Sequence, residues 1–504
     1  MVALPLDDYQ RSGRKRYALY GAIALVAVLI TFFSTNLFSY SRIYFTPIPK
    51  ESSLCPLYDP IAPKSFYKDN STVLRSCMTR IPRLLGKDLP LVTRIWNHQN
   101  QHLRFGLFLE RYDKKLKPIL LTGHQDTVPV QKDSLDQWTY PPFEGHYDGE
   151  FIYGRGASDC KNVVIAILET LELLLSKGFE PKRHIIAAFG FDEESSGIIS
   201  ASRIGKYLER PTARIPSTLR VDHSGGHSSI PPDHTSIGII SELNYVIEKD
   251  PYRPILTEKN PILQYSQCAA LHDPENNIPT FLKKSFLRAG HDRIANAILV
   301  GKILENKLTK YLIKTSQAID IISGGEKANA LPEDTKVLIN HRIAVESSVD
   351  EVKAHFVTRV VEVAKRHNLS VVAYGDEVLT DIKDSGLFNV TVNSKPLNAA
   401  PVTPTNDTVW AYLSGVTRHV FEDLVFTNIT YPIVTVPSIL TGNTDTRHYW
   451  NLTRNIFRFT PQFANNFPSG VHSVDEKLPF SAHLQLQAWF YEYLQAIDTD
   501  KANN

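Results

Sequence analysis

The sequence predicts an α/β protein that contains an inserted α+β unit and is preceded by one transmembrane helix. Short apolar strands alternate with helices after residue 70, the middle of the chain shows a different pattern, and one uncharged apolar run lies near the N-terminus. Strands that alternate with helices imply a mostly parallel sheet. At 504 residues, the chain is long enough for two or more folded units.

The N-terminal apolar run, Tyr17–Phe38, has 22 residues without a charge, which is enough to cross a bilayer as a helix. Arg11, Arg14, Lys15 and Arg16 precede it, which predicts a cytosolic N-terminus and a type II orientation. A cleaved signal peptide is the alternative, but its apolar core would be shorter and followed by a small-residue cleavage site. The sequence therefore favours an uncleaved anchor.

Cysteine usage, net charge and glycosylation triplets bear on the compartment and the partners of the protein. Four cysteines occur without a CxxC pair, so neither a disulfide scaffold nor a thiolate zinc site is indicated, although Cys55 and Cys77 could pair. A net charge of +2 without a basic stripe indicates no nucleic-acid partner. N-x-S/T triplets, the acceptors of N-glycosylation, begin at Asn70, Asn368, Asn389, Asn406, Asn428 and Asn451.

Six segments carry the predicted strands and helices. PILLT (118–122) and HIIAAFGF (184–191) are predicted strands, and NVVIAILETLELLLSKG (162–178) is a predicted helix that stops at a glycine. The α+β unit contains KVLINHRIAV, which alternates like a half-exposed strand, and the amphipathic helix 349–368. A last helix is predicted over 481–497.

Polar residues follow both apolar strands, where ligands bind in parallel sheets. His124 and Asp126 follow the first strand, and Glu193 and Glu194 follow the second. A histidine can bind a metal ion while a nearby acid orients its ring through the second nitrogen. One glutamate can bind metal while its neighbour takes a proton from a metal-activated water. An ordinary turn or a solvated strand end is the alternative for each pair taken alone.

Two further residues complete the candidate metal site. Asp159 lies in the glycine-rich turn GRGASDCKN before a helix, and one carboxylate can bridge two metal ions with its two oxygens. His472 lies in SGVHSVDEKLP, in a loop before the last helix.

Taken in order, these motifs resemble the zinc aminoacylase and carboxypeptidase family. The resemblance covers residues 55 to 497 and rests on H-x-D-x-V-P, G-R-G-x-x-D-x-K, D-E-E, G-G-H-S-S and a late G-x-H. It implies a zinc-peptidase catalytic domain interrupted by an α+β lid, which often serves for dimerisation. It also implies zinc as the metal, with two ions in the family.

The resemblance also implies a role for each site residue. His124, Asp159, Glu194 and His472 match metal ligands, with Asp159 as the bridge. Asp126 matches the residue that orients His124, and Glu193 matches the general base.

Three lid residues match substrate-contacting positions. His227 in SGGHSS matches a histidine that holds the oxyanion, in some relatives from a second subunit. Asn329 in KANALPE and Arg342 in NHR match substrate contacts, and the planar guanidinium of Arg342 suits a carboxylate. A turn and an exposed strand face are the alternatives for Asn329 and Arg342.

These matches predict six consecutive segments. They are a cytosolic tail (1–16), a transmembrane anchor (17–38), a stalk (39–70), the first part of the catalytic domain (71–220), the lid domain (221–397) and the second part of the catalytic domain (398–497).

The chain is shorter than the family between Glu194 and GGHSS. Relatives carry there a further strand that ends in an Asp-Glu-Gly-Gly type turn, and its first acid is the terminal ligand of the zinc held by His124. Asp222 is the nearest acid here, and it lies at the entry to the lid. The sequence thus predicts about one tightly bound zinc ion and weakened activity.

The predicted function is a membrane-anchored zinc metallocarboxypeptidase that removes C-terminal residues from short peptides in the vacuolar lumen. Two alternatives remain: an N-acyl amino acid hydrolase or synthase, which cleaves a similar amide, and an inactive lumenal protein that binds peptides. Expected partners are short peptides, the membrane and, through the lid, a second copy of the chain.

Overall fold

A computed structural model describes residues 7–49, 53–63, 105–109, 115–209, 220–222, 226–229, 231–273, 276–380, 386–392, 396–442, 444–463 and 470–503. These residues form two compact units. The first combines the N-terminal segment up to Pro56 with 251–316 and 344–346, and the second contains the rest.

The helices of the described residues are α1 (Asp7–Phe45), α2 (Asn162–Ser176), α3 (Ser200–Glu209), α4 (Ser236–Lys249), α5 (Pro261–His272), α6 (Thr280–Arg288), α7 (Arg293–Leu304), α8 (Val349–His367), α9 (Thr408–Arg418) and α10 (Phe480–Ala496).

The strands are β1 (Phe105–Leu109), β2 (Ile119–His124), β3 (His146–Tyr147), β4 (Phe151–Tyr153), β5 (Ile185–Gly190), β6 (Arg220–Asp222), β7 (Gly226–His227), β8 (Ser316–Gly324), β9 (Ala330–Leu331), β10 (Asp334–Arg342), β11 (Ser370–Ala373), β12 (Asp376–Leu379), β13 (Leu387–Val390) and β14 (Lys477–Pro479).

A three-stranded sheet in the order β1-β5-β2 confirms the two predicted apolar strands. β2 and β5 pair in parallel, with His124 opposite Gly190 at their carboxyl ends. Because the two strands end at the same edge, the residues that follow each of them come together there. After β5, the described part of the chain continues through α3. The next described strand in the sequence, β6, belongs to a different sheet.

The predicted helices α2 and α10 pack against each other and form the main apolar core of the second unit. Ile167 and Leu171 of α2 and Leu486 and Trp489 of α10 are all buried in it. Burying a side chain of this size contributes about 1.5–3 kcal/mol. This core supports the strands that carry the polar edge.

A six-stranded sheet follows the order β12-β11-β13-β6-β10-β8. It contains the predicted alternating strand, β10, and the predicted amphipathic helix, α8, packs with α4 over it. Leu243, Val360, Val371 and Phe388 are fully buried between the helices and the sheet. The alternation of β10 arises because one face meets this core and the other does not.

A small sheet in the order β14-β4-β3 connects distant parts of the chain. Lys477 of β14 pairs with Tyr153 of β4. This pairing brings the segment after His472 beside the turn that leads to Asp159.

The N-terminal helix is longer than predicted. Within it, Ala22–Phe45 is apolar and long enough to cross a membrane, by length and composition. The predicted stalk began at residue 39, but the helix continues to Phe45 because Ile43 is fully buried and the Tyr40 ring stacks on Phe281 of α6. The first seven residues of the predicted stalk are therefore helical.

A disulfide joins Cys55 to Cys268 of α5 within the first unit. The sequence had left open a bond between Cys55 and Cys77, and that pairing is wrong. A separation of 213 residues gave no local signal for the observed bond. Cys77 lies outside the described residues.

Candidate metal centre

His124 is the buried last residue of β2. Its Nε2 lies 3.0 Å from Oδ1 of Asp159. Its Nδ1 lies 3.0 Å from the backbone oxygen of Asp126 and 3.4 Å from Oδ1 of the same residue. The Asp126 side chain also accepts the backbone N–H of Glu194, at 3.1 Å. Asp126 thus links the two strand ends while leaving Nε2 directed at Asp159.

Asp159 is held in the turn 157–161, directly before α2. Gly156 begins this turn with φ +87°, in the left-handed region that favours glycine. A Cβ added to Gly156 would lie 2.4 Å from Cγ2 of Thr127. A glycine is therefore required both for the turn and for its close approach to the segment after β2.

Glu193 and Glu194 lie in a short turn after β5, and Asp192 holds this turn in place. The carboxylate of Asp192 accepts the backbone N–H of Ile199 at 2.6 Å and that of Ser200 at 2.9 Å. Of the three acids in the Asp-Glu-Glu run, the first is thus structural. The other two point toward the metal-binding edge.

His472 lies close to two of the other candidate ligands. Its Nε2 is 3.3 Å from Oδ2 of Asp159 and 3.3 Å from Oε2 of Glu194. The residue adopts φ +60°, and its side chain is half exposed. Asp159 therefore directs one oxygen at His124 and the other at His472.

The spacing of these atoms fits a bound metal ion. Nitrogen and oxygen ligands of a tetrahedral zinc ion lie about 3.4 Å apart, given metal–ligand bonds of about 2.0–2.2 Å. The separations of 3.0 to 3.3 Å among His124, Asp159, Glu194 and His472 are close to this value. In addition, Oε1 of Glu194 is buried and has no hydrogen-bond partner among the described residues. The donors therefore fit a cation.

Two ligand groups emerge from the described residues, and they share Asp159. One comprises Asp159, Glu194 and His472, and the other comprises His124, Asp159 and Cys160. Glu193 belongs to neither group, although its Oε2 lies 3.9 Å from Nε2 of His124. Its carboxylate is thus beside the metal-binding edge and available for another role.

The pKa shifts at this edge reflect its concentration of carboxylates around His124. Burial lowers the pKa of His124, but hydrogen bonds with Asp126 and Asp159 outweigh it and raise the pKa above its ordinary value. Burial raises the pKa of both Glu193 and Glu194. A metal ion would displace the proton from His124 and compensate the buried carboxylates.

A buried ion pair that the sequence analysis did not identify ties the two halves of the site together. Arg155 Nη1 donates to Oε2 of Glu476 at 2.7 Å, and both side chains are almost fully buried. The other oxygen of Glu476 accepts the backbone N–H groups of Ser158 and Asp159 at 3.1 and 3.2 Å. Because Glu476 follows His472 by four residues, it connects the loop of His472 to the turn of Asp159.

Cys160 is a further residue that the sequence analysis did not assign to the site. It was considered only for disulfides and CxxC patterns, although it directly follows Asp159 in the quoted motif. It is the one free cysteine among the described residues, and its sulfur accepts the backbone N–H of His124 at 3.3 Å.

The predicted substrate-binding residues lie on other elements. β7 pairs with β9, so that His227 is opposite Ala330, and the backbone of Ser228 donates to the carbonyl of Asn329. The side chain of His227 lies outside the described residues. Asn329 and Arg342 are exposed, the latter as the last residue of β10. The structure thus brings His227 and Asn329 onto neighbouring backbone segments.

The clustered carboxylates and histidines are candidate metal ligands, which is the arrangement of a metal-dependent hydrolase. A profile of Peptidase family M20/M25/M40 matches residues 120–496, and the chain belongs to this family. It is therefore a metallopeptidase, which confirms the family predicted from the ordered motifs.

Two relatives in sequence support this assignment. The chain is 32% identical to Carboxypeptidase S of Saccharomyces cerevisiae over 98% of this chain and 99% of that protein. It is also 32% identical to the N-fatty-acyl-amino acid synthase/hydrolase of Mus musculus, over 77% of this chain and 76% of the relative. A crystal structure of an M20 family metallo-carboxypeptidase from Sulfolobus solfataricus aligns with a TM-score of 0.49 at 15% identity, covering 79% of this chain and 90% of that one.

Proposed function

We propose that the protein is a membrane-anchored zinc carboxypeptidase that removes C-terminal residues from short peptides in the vacuolar lumen. The observation that carries this proposal is the pair of ligand groups that share Asp159, with the carboxylate of Glu193 left free beside them. The similarity to Carboxypeptidase S over nearly the whole chain supports the choice of substrate.

Each residue of the centre then has a distinct role. His124, Asp159, Glu194 and His472 hold the metal, and Asp126 orients the ring of His124. A zinc ion held by these residues would supply Lewis-acid chemistry, polarising the scissile carbonyl and lowering the pKa of water. Glu193 takes the proton of the attacking water and delivers it to the leaving amine, because its carboxylate lies beside the metal without being part of either ligand group.

The substrate is held by residues of the α+β lid. Arg342 binds the terminal carboxylate of the peptide, for which its exposed planar guanidinium is suited. Asn329 contacts the peptide, and His227 donates to the oxyanion, either within one chain or from a partner in a lid-mediated homodimer. Closure of the lid excludes water during the reaction.

Three observations support a lumenal catalytic domain behind an N-terminal anchor. The apolar helix Ala22–Phe45 is long enough to span a bilayer, and the Cys55–Cys268 disulfide is typical of an oxidising compartment. Of the glycosylation triplets, Asn406, Asn428 and Asn451 are exposed. Protease protection of intact vacuoles, combined with endoglycosidase treatment, tests this orientation. Cleavage by external protease or an unchanged mobility after deglycosylation would contradict it.

An N-acyl amino acid hydrolase is the second candidate, because the chain is similar to the mouse N-fatty-acyl-amino acid synthase/hydrolase. The same metal centre can cleave any amide next to a free carboxylate. The two functions are separated by assaying the full-length protein in detergent on blocked dipeptides and on N-fatty-acyl amino acids. We expect a higher kcat/KM for the dipeptides, and a preference for the acyl substrates would overturn the carboxypeptidase proposal.

Activity could also be weak or absent. Of the predicted ligands, only His124 and the shared Asp159 serve one of the two metal positions, which is fewer than the three protein ligands of a typical catalytic zinc site. If that position binds no metal ion, the protein would bind peptides without cleaving them. Metal analysis together with the peptide assay distinguishes an enzyme from such a protein.

A further inference from the structure

The metal position at His124 lacks the acidic ligand that the resemblance implies. Among the described residues, the side chain that completes a group of three possible ligand atoms with His124 and Asp159 is Cys160, while Glu193, 3.9 Å from His124, joins neither group. The expected acid, from an Asp-Glu-Gly-Gly type turn, is absent from the sequence between Glu194 and His227. The position therefore needs a ligand of a different kind.

Cys160 is placed by the same turn that places the bridging carboxylate. The turn 157–161 is held by Glu476 through the backbone N–H groups of Ser158 and Asp159. The contacts that hold the turn around Asp159 therefore also help to position Cys160, the next residue.

The distances agree with a three-ligand set. One donor atom each from His124, Asp159 and Cys160 lies within 4.8 Å of the others. Around a tetrahedral zinc ion, a sulfur ligand lies about 3.5 Å from a nitrogen or oxygen ligand, given a zinc–sulfur bond of about 2.3 Å. Small side-chain rotations would close this difference, because the thiol and the carboxylate are both partly exposed.

We propose that the Cys160 thiolate is the third protein ligand of the metal ion held by His124 and bridged by Asp159. The inference rests on the proposed metal centre and makes its two positions chemically different. One position has nitrogen, oxygen and sulfur donors, and the other, formed by Asp159, Glu194 and His472, has only oxygen and nitrogen donors. The expectation of a single tightly bound zinc ion changes accordingly to two.

This ligand set has consequences for metal selection and proton balance. Thiolates favour zinc, cobalt and cadmium over magnesium and manganese, which prefer oxygen donors. Binding breaks the S–H bond of Cys160 and forms a metal–sulfur bond, so one proton is released to solvent from the thiol.

A packing role is the competing explanation for Cys160. The residue lies against the main apolar core, beside residues of α2 and β2, and a cysteine can act there as a small apolar side chain. Loss of stability in a variant would be expected from either role. Spectroscopy of the bound metal separates them, because only a ligand changes the electronic spectrum.

The test uses the full-length protein in detergent, stripped with a chelator and loaded with Co²⁺. We expect two cobalt ions per chain, together with a near-ultraviolet thiolate-to-cobalt charge-transfer band. Cys160→Ser should abolish the band and lower the bound cobalt by one ion per chain after dialysis. The matched control, His472→Ala, should lose the cobalt of the other position and keep the band.

The proposal is overturned if two cobalt ions bind without the band, or if the band persists in Cys160→Ser. Should that variant fail to fold, X-ray absorption of the zinc-loaded wild-type protein gives the same decision, since a sulfur neighbour at about 2.3 Å is expected only with the thiolate bound. A protein with the band but without peptide hydrolysis would refute the carboxypeptidase function alone. Full hydrolysis without the band would refute the role of Cys160 alone.

Discussion

The metal-binding edge and the six-stranded sheet present their polar residues in opposite ways. At the edge, nearly every candidate residue is held by another: Asp126 contacts both His124 and Glu194, Asp192 holds the turn of the glutamates, and Glu476 holds Asp159. On the six-stranded sheet, Arg342 is exposed, and so is Asn329, directly before β9.

Under the proposed function, this difference corresponds to two different steps, metal binding and substrate binding. A metal ion needs ligands fixed within a few tenths of an ångström before it arrives. A side chain that contacts the substrate is enclosed only when the peptide binds and excludes water. We therefore expect substitutions at the edge to change metal content or kcat, and substitutions on the sheet to change KM.

The largest effect is expected at Glu193. Glu193→Gln should retain metal and lower kcat by about 10²- to 10⁴-fold, the usual contribution of a general base. The neighbouring Glu194→Gln is the matched variant and should instead reduce the metal content, because Glu194 is within 3.3 Å of His472 in a ligand group. Metal analysis and steady-state kinetics on both variants check this. If Glu193→Gln lost metal and Glu194→Gln retained it, the roles of the two glutamates would be exchanged.

A smaller effect is expected at Glu476, which positions Asp159 without being a ligand. Glu476→Gln removes the charge that pairs with buried Arg155, and we expect metal affinity to fall about 10- to 100-fold, as for other residues that orient metal ligands. The melting temperature of the metal-free protein should also fall, since Arg155 loses its buried partner.

The adjacent Asp475→Asn serves as control for Glu476, because Asp475 accepts the backbone N–H of Thr139 rather than that of Asp159. Competition with a chromophoric chelator measures the affinity of both variants. Equal metal affinity in Glu476→Gln and wild type would mean that the ion pair serves stability alone.

On the sheet, Arg342→Ala should raise KM by about 10- to 100-fold, equivalent to the loss of a charged hydrogen bond of about 1.5–3 kcal/mol. Metal content and melting temperature should remain unchanged, because the side chain is exposed. Lys336→Ala removes another exposed cation from the same strand and should have little effect on KM. If both variants behave alike, Arg342 has no specific role in binding the carboxylate.

The smallest effect concerns Asp445, a buried acid near the edge. Burial, with a further contribution from the charge of Glu193, raises the pKa of Asp445 to about 7 from an ordinary 3.8. Between these values the folded protein holds a proton that the unfolded chain has lost. The stability from this proton is present at low pH and is lost as the pH rises toward 7.

Asp445→Asn imitates the protonated acid at every pH. In the chelated protein, we expect the variant to gain melting temperature relative to wild type between pH 5 and pH 8, by about 2–4 °C for each kcal/mol. Asp136→Asn, at an exposed position, should show no such trend. A difference that does not depend on pH would show that Asp445 is ionised in the folded protein throughout.

The sequence predicted the features that depend on local pattern. The strands before His124 and Glu193 were identified by their apolar runs, and their parallel pairing brought the following residues together, as expected of an α/β sheet. The helices 162–176, 349–367 and 480–496 were found by their periodicity. Their ends differ from the predicted ones by two residues or fewer.

The features that were missed depend on contacts between distant residues. Arg155 and Glu476 are 321 positions apart, and Cys55 and Cys268 are 213 apart. No spacing rule connects such pairs, because the fold alone decides which loops meet. Cys160 was missed for a different reason: its neighbour Asp159 was recognised, but a single cysteine has no pattern of its own.

The bond between Cys55 and Cys268 determines how the protein could be separated from a membrane. A single break in the chain between these two cysteines would leave both fragments joined, and they would part on an electrophoresis gel only after reduction. A break before Cys55 would instead detach everything that follows from the apolar helix. A cut between the two cysteines therefore leaves a nicked chain still joined to the apolar helix, whereas a cut before Cys55 separates the rest of the chain from it.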